Sequence, residues 1–162
     1  MSEPAFRVVR LDGPERLPEA LAVIHEVFGH YEGNLVPPSA ALKETVDSIG
    51  RRLADGAVFL AEDSDGRAIG AVCADRKGDA MYLGRLAVRP ECQGRGVGAA
   101  LVAAVERFAA EAGADRISIG VRLALTDNIR MFQGLGFVET GRTAHPGFSE
   151  PTSMDLAKPV GR

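Results

Sequence analysis

The chain has 162 residues, 46% hydrophobic and 25% charged, with a formal net charge of −3. These proportions belong to a folded, water-soluble chain able to bury a sizeable core, and residues 1–162 read as a single domain. Mild acidity and scattered arginines argue against a nucleic-acid partner, and no apolar run approaches the ~20 residues of a membrane span.

The opening MSEPAFRVVR has no apolar core of a secretion signal. The two cysteines, Cys73 and Cys92, show no metal-ligand spacing, so no metal site is expected and a reducing, cytoplasmic setting is. Residues 6–11 are a first strand. Asp12-Gly13-Pro14-Glu15 reads as a helix start, with an aspartate cap, proline in the first turn and a glutamate three residues after the cap. Leu17, Leu21, Ile24 and Phe28 mark an amphipathic helix to about Gly29. Pro37-Pro38 breaks the chain, Ser39 can cap again, and Leu42, Val46, Ile49 and Leu53 mark a second helix ending near Gly56.

Residues 57–62 and 68–74 are strands joined by Asp63-Ser64-Asp65-Gly66-Arg67, where Asp-Gly between apolar runs signals a hairpin. A turn at Lys77-Gly78-Asp79 leads into a strand over 81–88, completing an antiparallel meander. Arg89-Pro90 stops it, because proline lacks the amide a ladder needs. Gln93-Gly94-Arg95-Gly96-Val97-Gly98 follows. Val97, Leu101, Val105, Phe108 and Ala112 then share one helical face, and Gly113 supplies a left-handed stop.

That helix begins inside the glycine run, so its first amides have no intrahelical partners and point into the turn. Glycines let an anionic ligand approach the backbone, the helix dipole adds roughly half a positive charge, and Arg95 adds a full one. The turn is an anion cradle suited to a diphosphate. Cys92 beside it is either a bystander or a thiol whose pKa the helix lowers. Residues 117–121 alternate as a strand that, after a helical crossover, should run parallel to 81–88. Thr126 or Asp127 can cap a short helix through Gly134. Strands at 136–141 and 152–157 close the order β-α-α-β-β-β-α-β-α-β-β, joined by a loop that carries His145.

Three diphosphate ligands compete. A P-loop needs Gly-Lys-Ser/Thr, and Gly98 is followed by Ala99-Ala100. A dinucleotide fingerprint fits Gly94, Gly96 and Ala99, with Asp115 about twenty residues on, although that acid precedes the next strand instead of ending it. Third, Gln93-x-x-Gly96-x-Gly98 resembles the Q/R-x-x-G-x-G/A signature of the GNAT superfamily of N-acetyltransferases. Leu86-Ala87-Val88-Arg89-Pro90-Glu91 resembles that family's L-x-V-x-P-E strand end, and Leu135-Gly136-Phe137 its L-G-F near the C-terminus.

The resemblance implies the mixed α/β acyl-CoA N-acyltransferase fold: a mostly antiparallel sheet splayed between its two parallel strands, flanked by about four helices. It implies acetyl-CoA as cosubstrate, with pantetheine along Leu86, Ala87 and Val88. The diphosphate would lie over Gln93, Gly94, Arg95, Gly96, Val97, Gly98 and Ala99. Asn128 resembles the family's CoA-contacting asparagine, and Phe132 stands where the family usually has a tyrosine. No glutamate occurs on the strand with Tyr82, Gly84 and Arg85, so Tyr82, acting through a water, and His145 are the catalytic candidates.

The reaction implied is direct acetyl transfer from acetyl-CoA to a primary amine of a small molecule or peptide. His30, Tyr31 and Glu32 are candidates for acceptor specificity, and the acidic domain favours cationic acceptors by attraction. Because phenylalanine donates no proton, a regulatory module that binds acyl-CoA without turnover is the alternative; a dinucleotide binder is the third. Edge strands near the C-terminus could pair two copies as a homodimer.

Overall fold

The computed structural model describes residues 5–31 and 33–161. Strands β1 (Phe6–Arg10), β2 (Gly56–Asp63), β3 (Ala68–Lys77) and β4 (Ala80–Val88) pair in succession as an antiparallel meander. The first seven residues of both β2 and β3 are buried. The cause is cover on both faces: helix α1 (Leu17–Gly29) packs on one and helix α4 (Val97–Glu111) on the other. The β2–β3 turn closes on Asp63 Oδ1, which accepts from the Asp65 and Arg67 amides at 2.9 Å each.

Between α1 and β2, the second helix expected from the sequence is three short pieces. A 3₁₀ turn over Ala40–Lys43 is capped by Ser39; α2 (Val46–Gly50) and α3 (Arg52–Asp55) follow. Glu44 is extended at the break, and Thr45 and Ser48 cap α2 reciprocally. Leaving the helix frees the Glu44 side chain to turn inward.

After α4 come β5 (Arg116–Arg122), α5 (Thr126–Gly134), β6 (Val138–Thr143) and β7 (Ser153–Pro159). One seven-stranded sheet results, ordered β1-β2-β3-β4-β5-β7-β6, with β4 and β5 its parallel pair. This is the mixed architecture expected. Some local expectations fail. Asp12 does not cap: Gly13 precedes a 3₁₀ turn over Pro14–Arg16 with no side-chain bond, and α1 starts only at Leu17. Leu125, not Thr126 or Asp127, occupies the N-cap of α5. Ala112 is exposed, whereas Val102, Ala104 and Ala109 join the buried stripe, because α4 lies across several strands. Among the described residues no helix is long and apolar enough to cross a membrane.

Candidate active site

The parallel pairing of β4 with β5 lasts for three residue pairs, Ala80–Arg116, Met81–Ile117 and Tyr82–Ser118. Beyond them β5 follows β7 over its whole length while β4 stays with β3. The strands part where β4 is bulged: Arg85 and Leu86 together oppose Val72. Arg85 has φ 56°, the one non-glycine left-handed φ among the described residues. A bulge of this kind bends its strand and adds twist. The Arg89 amide donates to Ile69 O at 2.9 Å. By the alternation of a ladder, Leu86 and Val88 therefore direct their N–H and C=O groups away from β3, into the gap.

Two cavities meet there. The first, about 670 Å³, is lined by Leu86, Val88, Gln93, Gly94, Gly96, Val97, Gly98, Ala99, Asn128 and Phe132, among others. Gly94 (φ 81°) and Gly96 (φ 83°) are left-handed, with nothing within 4 Å of a Cβ placed on either. Gly96 is the N-cap of α4 and offers no side-chain bond, so the first-turn amides stay unpaired within the helix. Open glycines below a helix N-terminus fit a diphosphate. Gln93 Nε2 donates to Val88 O at 3.1 Å and braces the turn against the strand end. On the other side Arg89 donates to Ala68 O at 2.9 Å and pairs with Glu26.

Two residues expected at this cradle do not line it. Ala87 is 1% exposed and packs in the core under α1, since alternation turns its side chain from the gap. Arg95 is exposed and lines neither cavity. Asp115, the acid of the dinucleotide reading, also lines neither. Cys92 is buried, away from both linings.

The second cavity, about 550 Å³, includes Tyr82, Gly84, Arg85, Arg122, His145 and Asp155 in its lining, and Leu86, Leu125, Asn128 and Phe132 border both. Phe132 is 5% exposed, its ring edge-on to Phe137 at 5.5 Å. A Cβ added to Gly120 would lie 3.3 Å from the Tyr82 hydroxyl and 3.8 Å from Asp155 Oδ1, so both groups face the space that this glycine leaves. Asp155 Oδ2 accepts from Thr143 Oγ1 at 2.8 Å. Lys77 Nζ sits 4.1 Å from the Tyr82 ring centroid.

His145 Nδ1 pairs with Thr152 Oγ1, which also accepts the His145 amide at 3.0 Å. Burial, then the positive charge of Arg122, holds its imidazole below the ordinary histidine pKa, so the ring is neutral at pH 7. Arg122 donates from Nη1 to Pro37 O at 2.6 Å and from Nη2 to Pro38 O at 3.1 Å.

Behind this cavity is a residue that the sequence did not reveal. The Glu44 carboxylate is buried and accepts from Arg85 Nε at 2.7 Å, Arg52 Nη2 at 3.1 Å and Ser48 Oγ at 2.5 Å. Burial alone would push its pKa up, but those three donors outweigh it and hold it at about 2. Arg52 Nε also reaches Asp75 Oδ2 at 2.9 Å. Burial pushes the Cys73 thiol up to about 12, which leaves it inert. Of the loop residues expected to face an acceptor, Tyr31 lines the glycine-turn cavity instead, His30 lines neither, and Glu32 lies outside the described residues.

Residues 24–137 match the sequence model of the Acetyltransferase (GNAT) family. No curated protein matches the chain. Among solved structures, the PaiA N-acetyltransferase of Thermoplasma acidophilum, in complex with coenzyme A, superposes with a TM-score of 0.79 at 17% identity, over 98% of this chain and 99% of that one. A GNAT-family acetyltransferase of Staphylococcus aureus gives 0.78 at 16% identity, over 97% of this chain and 100% of that one. The ribosomal-protein alanine N-acetyltransferase of Escherichia coli gives 0.73 at 20%, over 97% of this chain and 95% of that one. At these identities the neighbours establish the fold, and the match over residues 24–137 establishes more: this chain belongs to the GNAT family of acetyltransferases.

Proposed function

We propose that the chain is an acetyl-CoA-dependent N-acetyltransferase that moves an acetyl group directly to a primary amine of a small molecule or peptide. One observation carries this reading: the glycine-turn cavity and the cavity beside β5 share a border at Leu86, Leu125, Asn128 and Phe132. A ligand anchored by its diphosphate at the start of α4 therefore ends at the mouth of a separate chamber.

Acetyl-CoA would supply the activated acyl group. The main chain from Gly94 to Ala99 would hold its diphosphate, with Arg95 reaching in from the rim. Leu86 and Val88 would bond the pantetheine arm, and the Leu86 amide, beside the bulge, would donate to the carbonyl oxygen as negative charge develops on it. Asn128 at the shared border would orient the arm. As the C–N bond forms and the C–S bond breaks, one proton leaves the amine and one reaches the departing sulfur. His145, neutral at pH 7, suits the first transfer, and the Tyr82 hydroxyl can relay a proton through water. Phe132 supplies none.

Phe132 also favours a second reading, a module that binds acyl-CoA without turnover. Calorimetry with coenzyme A, followed by thiol release from acetyl-CoA with and without a panel of amines, separates the readings. Binding with amine-dependent release supports the enzyme; binding with no release on a broad panel supports the module; no binding defeats both.

A further inference from the structure

The net charge of −3 points toward cationic acceptors, but the second cavity reverses that expectation. Four cationic side chains, Arg52, Lys77, Arg85 and Arg122, line it against two carboxylates, Asp75 and Asp155. Glu44 and Asp75 account for Arg52 and Arg85. Arg122 is different. Its partners are the carbonyls of Pro37 and Pro38, and among the described residues no carboxylate forms an ion pair with it. Those two bonds use two of its five N–H donors and leave three, on a side chain that lines the cavity. Its charge is felt there, because it helps to keep His145 neutral.

Asp155 bonds Thr143 through Oδ2, and its Oδ1 lies 3.8 Å from where a Cβ on Gly120 would stand, beside the Tyr82 hydroxyl. Gly120 pairs with Asp155, and Arg122 pairs with Ser153, two residues along the same strands and on the same face. Asp155 and Arg122 are thus a diagonal pair on neighbouring strands, rooted roughly 8 Å apart. One small molecule bearing both charges can span that.

We propose that the acceptor is an amine that also carries a carboxylate, an amino acid or a close analogue, with Arg122 taking the carboxylate and Asp155 taking the amine end. The proposal rests on the acetyltransferase reading and narrows it. Asp155 holds the ammonium form until Tyr82 or His145 relieves it of a proton, and Arg122 fixes the other end so that the nitrogen lone pair faces the shared border.

The test uses matched acceptors that differ only in the carboxylate: L-phenylalanine with 2-phenylethylamine, L-leucine with isoamylamine, and 4-aminobutyrate with propylamine. The native protein should prefer the carboxylate-bearing member of at least one pair by tenfold or more in kcat/KM. Arg122→Gln should bring that ratio close to one, whereas R122K should keep part of it. If Arg122 served only to hold the Pro37–Pro38 loop, its loss would lower both members alike and leave the ratio unchanged. Coenzyme A affinity equal to that of the native protein checks that R122Q is folded. Ratios near one for all pairs, or a preference that survives R122Q, overturn the proposal. If no amine is acetylated, the enzyme reading has failed instead. Titration of the same pairs into the protein with coenzyme A present, followed by NMR, then reads carboxylate recognition at Arg122 directly: selective binding lost in R122Q sustains it, and indiscriminate or absent binding overturns it.

Discussion

Glu44→Gln is the most informative single perturbation of the cleft. The carboxylate is 7% exposed and balances two guanidinium groups, of which Arg52 retains Asp75 and Arg85 retains no other acid among the described residues. Removing one partner of a buried ion pair costs about 3–5 kcal/mol. Water reaches this network, since 17% of the Arg52 and 28% of the Arg85 side chain stays exposed. Screening and the surviving Asp75 contact reduce the expected loss to about 2 kcal/mol, or about 4–8 °C in Tm for a chain of this size. The pH dependence supplies an independent check. Glu44 is held below its ordinary pKa, at about 2, so its stabilisation is complete above about pH 4.5 and disappears as pH falls through that interval. E44Q should therefore show a flatter decline between pH 4.5 and 2, measured by urea unfolding at stepped pH. A double-mutant cycle isolates the Arg85 partner. Arg85→Gly removes the guanidinium that pairs with Glu44, so E44Q should cost less in that background, and the difference measures the coupling of the carboxylate to the bulge residue. A loss under about 0.5 kcal/mol at pH 7, or parallel pH curves for the two proteins, would refute the reasoning.

Three further outcomes follow from the geometry. Gly96→Val puts a side chain into the cradle at φ 83° and should weaken coenzyme A binding by at least tenfold in calorimetry, about 1.4 kcal/mol; unchanged affinity would remove the diphosphate from that turn. Gly56→Ala places a methyl 1.9 Å from Ala74 O, a backbone atom that cannot step aside, and should destabilise by about 3 kcal/mol in thermal unfolding. His145 is held below its ordinary pKa by burial and by Arg122, so the acid limb of kcat/KM should lie below pH 6.5 and move upward in R122Q; H145Q should abolish that limb, and an unaltered profile in H145Q would exclude the histidine as the base.

The glycine turn was readable from residues 93–98 because its chemistry depends on residue type: only glycine takes φ above 80° at positions 94 and 96 without strain, and only a helix start leaves amides unpaired there. The meander was equally readable from apolar runs separated by turns at Asp65-Gly66 and Lys77-Gly78-Asp79. The second cavity was readable only at Tyr82 and His145. Glu44 lies inside the stretch whose apolar periodicity reads as one helix, and its inward turn depends on a break and a capping box at Thr45 and Ser48 that periodicity overlooks. Arg85 occupies a left-handed bulge position that propensity assigns to glycine, and only its tertiary ion pair explains it. Asp155, Gly120 and Arg122 lie on strands joined through pairing thirty-odd residues apart in sequence, so nothing local marks them as neighbours.

The opening between β4 and β5 raises a mechanical question, since strands that part after three residue pairs should tend to close or peel. On one face the shared core beneath α4 holds both, with Met81, Leu83, Ile117, Ile119 and Phe137 in a single apolar cluster. On the other, Arg122 on β5 is bonded to the Pro37 and Pro38 carbonyls, which belong to the chain that precedes β2. Carbonyl acceptors brace the guanidinium without neutralising it, so one side chain can both fix the width of the cleft and present a cation inside it. Hydrogen bonds from a charged donor contribute about 1.5–3 kcal/mol each, and a lysine ammonium on a flexible stem lacks the planar fork that spans both carbonyls. R122K should therefore keep the charge, lose part of the brace and bind the acceptor more weakly. Hydrogen exchange at residues 119–122 and at 39–41, the first amides after the two prolines, should rise in the same variant. If exchange there is unchanged, the apolar cluster alone sets the gap.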